Sequence, residues 1–104
     1  MAELWLRLKG YAILARRYRT RWGEIDLIGR RGRVVVFAEV KARAAIETAA
    51  EAITPAQQRR IVAAARGFLA GHPALAECDI RFDAILVEKW RAPHHIVDAW
   101  RPVE

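Results

Sequence analysis

The strongest constraint on the fold is the segment Val34-Val35-Val36-Phe37, three valines followed by a phenylalanine. Branched side chains at consecutive positions favour an extended backbone, and an unbroken apolar run is typical of a strand buried on both faces. The segment therefore predicts a central strand, which we place over residues 33–43.

A second strand is predicted just before it, over residues 23–30. Within Gly-Glu-Ile-Asp-Leu-Ile-Gly-Arg, the side chains of Glu24 and Asp26 fall on one face, and those of Ile25 and Leu27 on the other. Gly32 supplies a turn between the two segments. The two strands are therefore expected to form a hairpin.

The remaining elements are assigned by periodicity and end signals. Residues 2–9 predict a short helix that stops at Gly10, and Thr54 and Pro55 are a helix N-cap and first-turn pair that opens a helix ending near Gly71. Residues 11–18, 79–87 and 95–100 predict further strands, and residues 44–53 have no clear assignment. This order predicts one α/β domain over residues 1–104, with a mixed sheet of about five strands flanked by helices.

The charge balance favours an anionic partner. Fifteen arginines and three lysines oppose 12 acidic residues, which gives a net charge of +6. Arginine matches phosphate geometry, although a GC-rich genome also enriches arginine and alanine. Cys78 is the single cysteine, which excludes a disulfide framework, and no membrane span or signal peptide is recognisable, so a cytoplasmic location is expected.

The candidate catalytic residues are Asp26, Glu39 and Lys41. A carboxylate within a strand and between Ile25 and Leu27 must be solvated, paired or metal-bound. Because side chains alternate along a strand, Glu39 and Lys41 share one face. Whether Asp26 reaches Glu39 depends on the turn: a Gly32-Arg33 turn places them opposite each other, a turn one residue earlier makes them diagonal neighbours, and a turn at Arg30-Arg31 separates them.

Two carboxylates and the carbonyl of Val40 are hard oxygen ligands suited to Mg²⁺ or Mn²⁺. Such an ion acidifies bound water and offsets charge on a phosphoryl group, and Lys41 could orient that water or contact the phosphate. Phosphodiester hydrolysis is the chemistry these groups serve best. The alternative is a solvated Glu-x-Lys charge pair worth under about 1 kcal/mol.

These motifs resemble the YraN-like family of small bacterial proteins. The resemblance rests on Gly-Glu-Ile-Asp-Leu-Ile at residues 23–28 and Val-Phe-Ala-Glu-Val-Lys-Ala-Arg at residues 36–43, and it extends to Lys9-Gly10-Tyr11, Thr54-Pro55 and Arg81-Phe82-Asp83. That family is a branch of predicted endonucleases in the restriction-endonuclease-like, PD-(D/E)xK superfamily and is similar to Holliday junction resolvases. The resemblance implies a restriction-endonuclease-like sheet, Asp26 and Glu39 as metal ligands and Lys41 as the catalytic lysine.

Family members usually carry a further glutamate in a longer first helix, about one turn before the point where this chain starts. Glu3 is out of step with that position, so Glu3 and Glu24 are the accessory candidates. Contacts with the nucleic-acid backbone are expected from five side chains that follow the first strand, end the lysine strand or lie in the second helix: Arg19, Arg21, Arg43, Gln57 and Arg60. A strand edge guarded by charge and a solvated helix face are the alternatives for them.

Three functions remain open from the sequence. The leading one is a metal-dependent endonuclease acting on DNA, rather than RNA, with branched or structured DNA as a candidate substrate and a homodimer as a candidate assembly. The second is a non-catalytic nucleic-acid-binding module with a nuclease fold. The third is a protein-interaction domain whose positive charge reflects genome composition.

Overall fold

The structure is a computed structural model that describes residues 1–42 and 53–102. Helix α1 spans Ala2–Leu8, helix α2 spans Pro55–Ala70, and a short 3-10 helix covers Pro73–Leu75. The strands are β1 Ala12–Arg19, β2 Glu24–Arg31, β3 Val34–Ala42, β4 Asp79–Val87 and β5 His94–Trp100. The predicted order of helix, three strands, helix and two strands is confirmed, and the 3-10 helix is an addition to it.

The five strands form one mixed sheet in chain order, β1-β2-β3-β4-β5. Neighbours pair antiparallel except β3 and β4, which are parallel. A parallel pair needs a long crossover connection, and α2 lies in the segment that makes it. β3 is the middle strand, as its valine run predicted.

In the described part of the chain, one helix packs on each face of the sheet. On one face, α2 buries Ile61 and Phe68 together with Val35 and Phe37 of β3. On the other face, α1 buries Leu6 in a cluster that includes Val36. Alternate side chains of β3 therefore serve two separate cores, which explains why its sequence is apolar at every position. Within the described residues, no helix combines the length and apolarity needed to cross a bilayer.

Helix α2 begins with the predicted cap. The Thr54 hydroxyl accepts a hydrogen bond from the Gln57 N–H at 3.2 Å, and Pro55 occupies the first helical turn, where no N–H is needed. This start sets the orientation of the first two turns of α2, which carry Gln57 and Arg60 beside the sheet.

The buried carboxylate of Asp83, on the α1 face of the sheet, links β4 to β5 through hydrogen bonds. Its oxygens accept bonds from Arg81 at 2.9 Å, from His95 Nε2 at 2.6 Å and from the Asp98 N–H at 2.9 Å. Burial works to raise the pKa of Asp83, but the bonds from His95, Arg81 and Asp98 outweigh it and lower the pKa. The structural Arg81–Asp83 pair predicted from the sequence is present, and His95 joins it.

The β1–β2 connection is a tight turn over residues 20–23. The Thr20 hydroxyl accepts bonds from the N–H groups of Trp22 and Gly23, both at 3.1 Å, and the Thr20 N–H donates to the Gly23 carbonyl at 2.8 Å. A Cβ on Gly23 would lie 2.5 Å from the Arg60 carbonyl oxygen. The turn is therefore packed directly against the backbone of α2.

This packing predicts opposite effects for two glycine substitutions. Gly23→Ala should lower the free energy of unfolding by about 1–3 kcal/mol, because the backbone of α2 must shift to admit the new methyl group. Gly67→Ala is the matched control, since nothing lies within 4 Å of its added Cβ inside α2. It should stabilise by about 0.5–1 kcal/mol through helix propensity. Urea unfolding of both variants measures the difference, and equal effects would contradict the packing.

Candidate functional site

The register of the β2–β3 hairpin decides whether Asp26 meets Glu39. Arg31 pairs with Val34, so the turn consists of Gly32 and Arg33, with Gly32 at φ +61°. The pairing continues to Leu27 opposite Ala38, and Asp26 and Glu39 lie one residue beyond this pair on their strands. A hydrogen bond and the charge of Asp26 act on Glu39 and raise its pKa, as expected for neighbouring carboxyl groups. Of the three turn alternatives, the structure has the first.

Each carboxyl group accepts a hydrogen bond from a neutral donor among the described residues. The Val40 N–H, which a continued ladder would give to a β2 carbonyl, instead donates to Asp26 Oδ2 at 2.8 Å. Gln57 Nε2 of α2 donates to Glu39 Oε2 at 2.6 Å. The contact from Gln57 shows that Glu39 points to the α2 face of the sheet.

The electrostatics of this pair are unfavourable for two negative charges. Glu39 is only 7% exposed, and burial raises its pKa to about 8, with further contributions from a hydrogen bond and the charge of Asp26. The charge of Lys41 and the backbone of Val40 lower the pKa only in part. Glu39 therefore keeps its proton up to mildly alkaline pH, because the charges of the described residues do not offset its burial.

The carboxylates lie in a cleft of about 560 Å³ between the sheet and α2. One wall is the turn over residues 20–23 with Arg19 and Glu24, and the other is α2, with Gln57, Arg60 and Ile61. The sequence analysis named Arg21 of this turn as a nucleic-acid contact but did not predict that the turn itself would form part of the site. A Thr-x-x-Gly segment between two strands predicts a turn, but only the contact with α2 brings it to the cleft.

Lys41 lies two residues after Glu39 in β3, and its side chain is half-buried. Its charge acts on the pKa of Glu39, so the amine is close to the pair, although Lys41 is outside the cleft lining. The hydrogen bond that the structure gives to Asp26 comes from the N–H group of Val40, not from its carbonyl. The role of the Val40 carbonyl as a metal ligand therefore stays a prediction.

The oxygen ligands at this site suit a hard divalent cation, but few protein side chains supply them. Within residues 1–42 and 53–102, no three histidine, cysteine or acidic side chains are grouped as a metal-binding set. Mg²⁺, however, is commonly held by one or two protein carboxylates, with water and substrate phosphate completing its shell. The raised pKa of Glu39 marks a place where a cation would replace the proton of Glu39. The residues present therefore fit Mg²⁺ or Mn²⁺.

Four of the five predicted nucleic-acid contacts line the cleft. Arg19 is held at 3.1 Å by Glu24, which also lines the cleft. Arg21, Gln57 and Arg60 are the others in the lining, while Arg43 lies outside the described residues. Gln57 contacts Glu39 and so supports the carboxylate pair directly.

Glu3 is not part of this cleft. Its carboxylate accepts hydrogen bonds from Arg7 at 3.1 Å and from Arg16, and these bonds lower its pKa to about 2. It lies on α1, which packs on the sheet face opposite to α2. Of the two accessory candidates, the structure therefore brings only Glu24 to the site.

Comparison with known proteins gives consistent matches. The model of a family described as "Uncharacterised protein family UPF0102" matches residues 1–87. A UPF0102 protein of Paramagnetospirillum magneticum is 53% identical, with 97% of this chain and 81% of that protein covered. UPF0102 proteins of Bradyrhizobium diazoefficiens and Parvibaculum lavamentivorans are each 52% identical, covering 95% and 98% of this chain and 74% and 77% of their own lengths.

The raised pKa of Glu39 predicts that stability falls as pH rises. Folded Glu39 keeps its proton to about pH 8, whereas the unfolded chain releases it near its ordinary value of 4.5. The stabilisation is therefore complete below about pH 4.5 and is lost between there and pH 8, by on the order of a few kcal/mol. Glu39→Gln should remove this part of the slope, measured by urea unfolding of metal-free protein. The exposed control Glu77→Gln should keep the wild-type slope, and equal slopes in all three proteins would contradict the prediction.

Proposed function

Because the chain belongs to the UPF0102 family, whose description assigns no activity, we propose from its cleft that it is a metal-dependent endonuclease hydrolysing phosphodiester bonds in DNA. The proposal includes the finer assignment expected from the sequence, a YraN-like member of the restriction-endonuclease-like superfamily. The observation that carries it is the pair of interacting carboxyl groups, Asp26 and Glu39, on adjacent strands in a cleft lined by arginines.

The carboxylates would act as metal ligands. Asp26 and Glu39, with the carbonyl of Val40, would hold Mg²⁺ or Mn²⁺, which when bound acidifies a coordinated water and offsets charge on the phosphoryl group. Gln57 fixes the orientation of Glu39 through its 2.6 Å bond, and the Val40 N–H fixes that of Asp26. Both ligands are thus held by neighbours before any ion arrives, which reduces the entropy lost on binding.

Lys41 and the arginines supply the remaining chemistry. Lys41 follows Glu39 on the same strand face, where its amine would orient the attacking water or contact the scissile phosphate. Arg21 and Arg60 are exposed side chains in the cleft lining, and no ion pair occupies either of them in the part of the chain that the structure describes. Their guanidinium groups are therefore available to the phosphate backbone, which favours a polyanionic substrate.

Metal binding provides a test that is independent of activity. At pH 8, Mg²⁺ or Mn²⁺ at about a hundredfold excess over its Kd should raise the melting temperature of the protein by about 10 °C. Asp26→Asn should abolish the rise, because it removes a ligand, whereas Asp79→Asn at the exposed start of β4 should not. A rise of equal size in all three proteins would place the ion elsewhere.

Cleavage tests the reaction itself. Junction, flap and single-stranded DNA are incubated with wild-type protein and Mg²⁺ or Mn²⁺, beside Asp26→Ala and Lys41→Ala. The two variants should lose cleavage at least about 100-fold and keep salt-sensitive binding, and the exposed Lys89→Ala should cleave like the wild type. Binding without cleavage by any form would indicate a non-catalytic binding module, and neither binding nor cleavage would favour the protein-interaction alternative.

A further inference from the structure

An exposed tryptophan stands in the lining of the same cleft. The side chain of Trp22 is 59% exposed, although tryptophan is usually largely buried. It shares the cleft lining with Asp26 and Glu39, while Trp5 and Trp100 are partly or fully packed against the protein. Packing in the core does not explain the position of Trp22.

The turn that carries Trp22 is fixed from two sides. The Thr20 hydroxyl binds the Trp22 and Gly23 N–H groups, and Gly23 lies so close to the Arg60 carbonyl that even a methyl group would collide. The backbone of Trp22 is thus fixed in position relative to α2, which also carries Gln57. A fixed aromatic group loses little conformational entropy when a ligand stacks on it.

Two arginines accompany the indole in the cleft lining. The Arg21 guanidinium lies 5.4 Å from the centroid of the Trp22 ring, and Arg60 also lines the cleft. Arg19 is paired with Glu24 at 3.1 Å, whereas no acidic side chain of residues 1–42 or 53–102 forms an ion pair with Arg21 or Arg60. An aromatic face beside two available cations is the combination that binds a base and the phosphates next to it.

We propose that Trp22 stacks on an unpaired base, so that the cleft selects DNA containing an unpaired nucleotide over a continuous duplex. In a duplex each base is already stacked on both sides, and none can offer its face to the indole without being unstacked. This inference rests on the proposed function for the identity of the ligand as DNA. It adds a position that determines specificity, distinct from the carboxylates and Lys41.

The test compares two labelled duplexes that differ by one extra, unpaired nucleotide in the middle of one strand. Binding is measured by fluorescence anisotropy with chelator present, so that no cleavage occurs. Wild-type protein should prefer the duplex with the unpaired nucleotide. Trp22→Ala should weaken binding to that duplex roughly 5- to 100-fold, the range for loss of one stacked base, and leave the continuous duplex within about twofold.

Two further variants control for side effects. Trp22→Phe should retain most of the preference, because it keeps an aromatic face. Trp90→Ala removes an even more exposed tryptophan, 90% exposed and outside the cleft lining, and should behave like the wild type. Unfolding curves of the four proteins check that the fold is unchanged.

The proposal is overturned if Trp22→Ala weakens both duplexes equally, if it changes neither, or if the wild type binds neither duplex or shows no preference. Failure of the hydrolytic function gives a different result. A protein that never cleaves DNA with Mg²⁺ or Mn²⁺, yet shows a preference that depends on Trp22, refutes hydrolysis and supports stacking. Cleavage without a preference that depends on Trp22 refutes stacking alone.

Discussion

The register of the β2–β3 hairpin is the constraint on which the site depends. A shift of one residue would turn the side chains of one strand to the other face and separate Asp26 from Glu39. The two-residue turn prevents this, because Gly32 adopts a positive φ that suits the twist of a tight hairpin. The same register keeps Val35 and Phe37 under α2, so that packing of the core and assembly of the cleft enforce one pairing.

The buried acidic residues Asp83 and Glu39, on opposite faces of the sheet, have very different surroundings. Asp83 is fully buried but meets Arg81, His95 and a backbone N–H, and its pKa is lowered. Glu39 is nearly as buried but meets a second carboxylate and a neutral amide, and its pKa rises to about 8. The first arrangement is complete within the described protein and serves structure. In the second, the described groups that bond Glu39 are uncharged and Lys41 lowers its pKa only in part, which is why we propose the function at that face.

The crossover helix α2 gives the cleft its second wall. Because β3 and β4 are parallel, the chain must return across the sheet between them, and α2 lies in that connection and contacts β3 at Glu39. Its first turns supply Gln57 to the carboxylate and a backbone surface against which Gly23 packs. The position of Trp22 beside the carboxylates is thus a consequence of how a parallel pair is connected.

Sequence alone determined the element order, the central strand at the valine run, the cap at Thr54 and the shared face of Glu39 and Lys41, because these depend on local periodicity and end signals. The sequence left three possible positions for the β2–β3 turn, and so three possible pairings of the two strands. Only the tertiary structure chose among them, since the choice depends on which side chains the two cores can bury. The exclusion of Glu3, the joining of His95 to Asp83 and the placing of Trp22 in the cleft were also decided there. Each brings together residues distant in sequence, and no local pattern records such contacts.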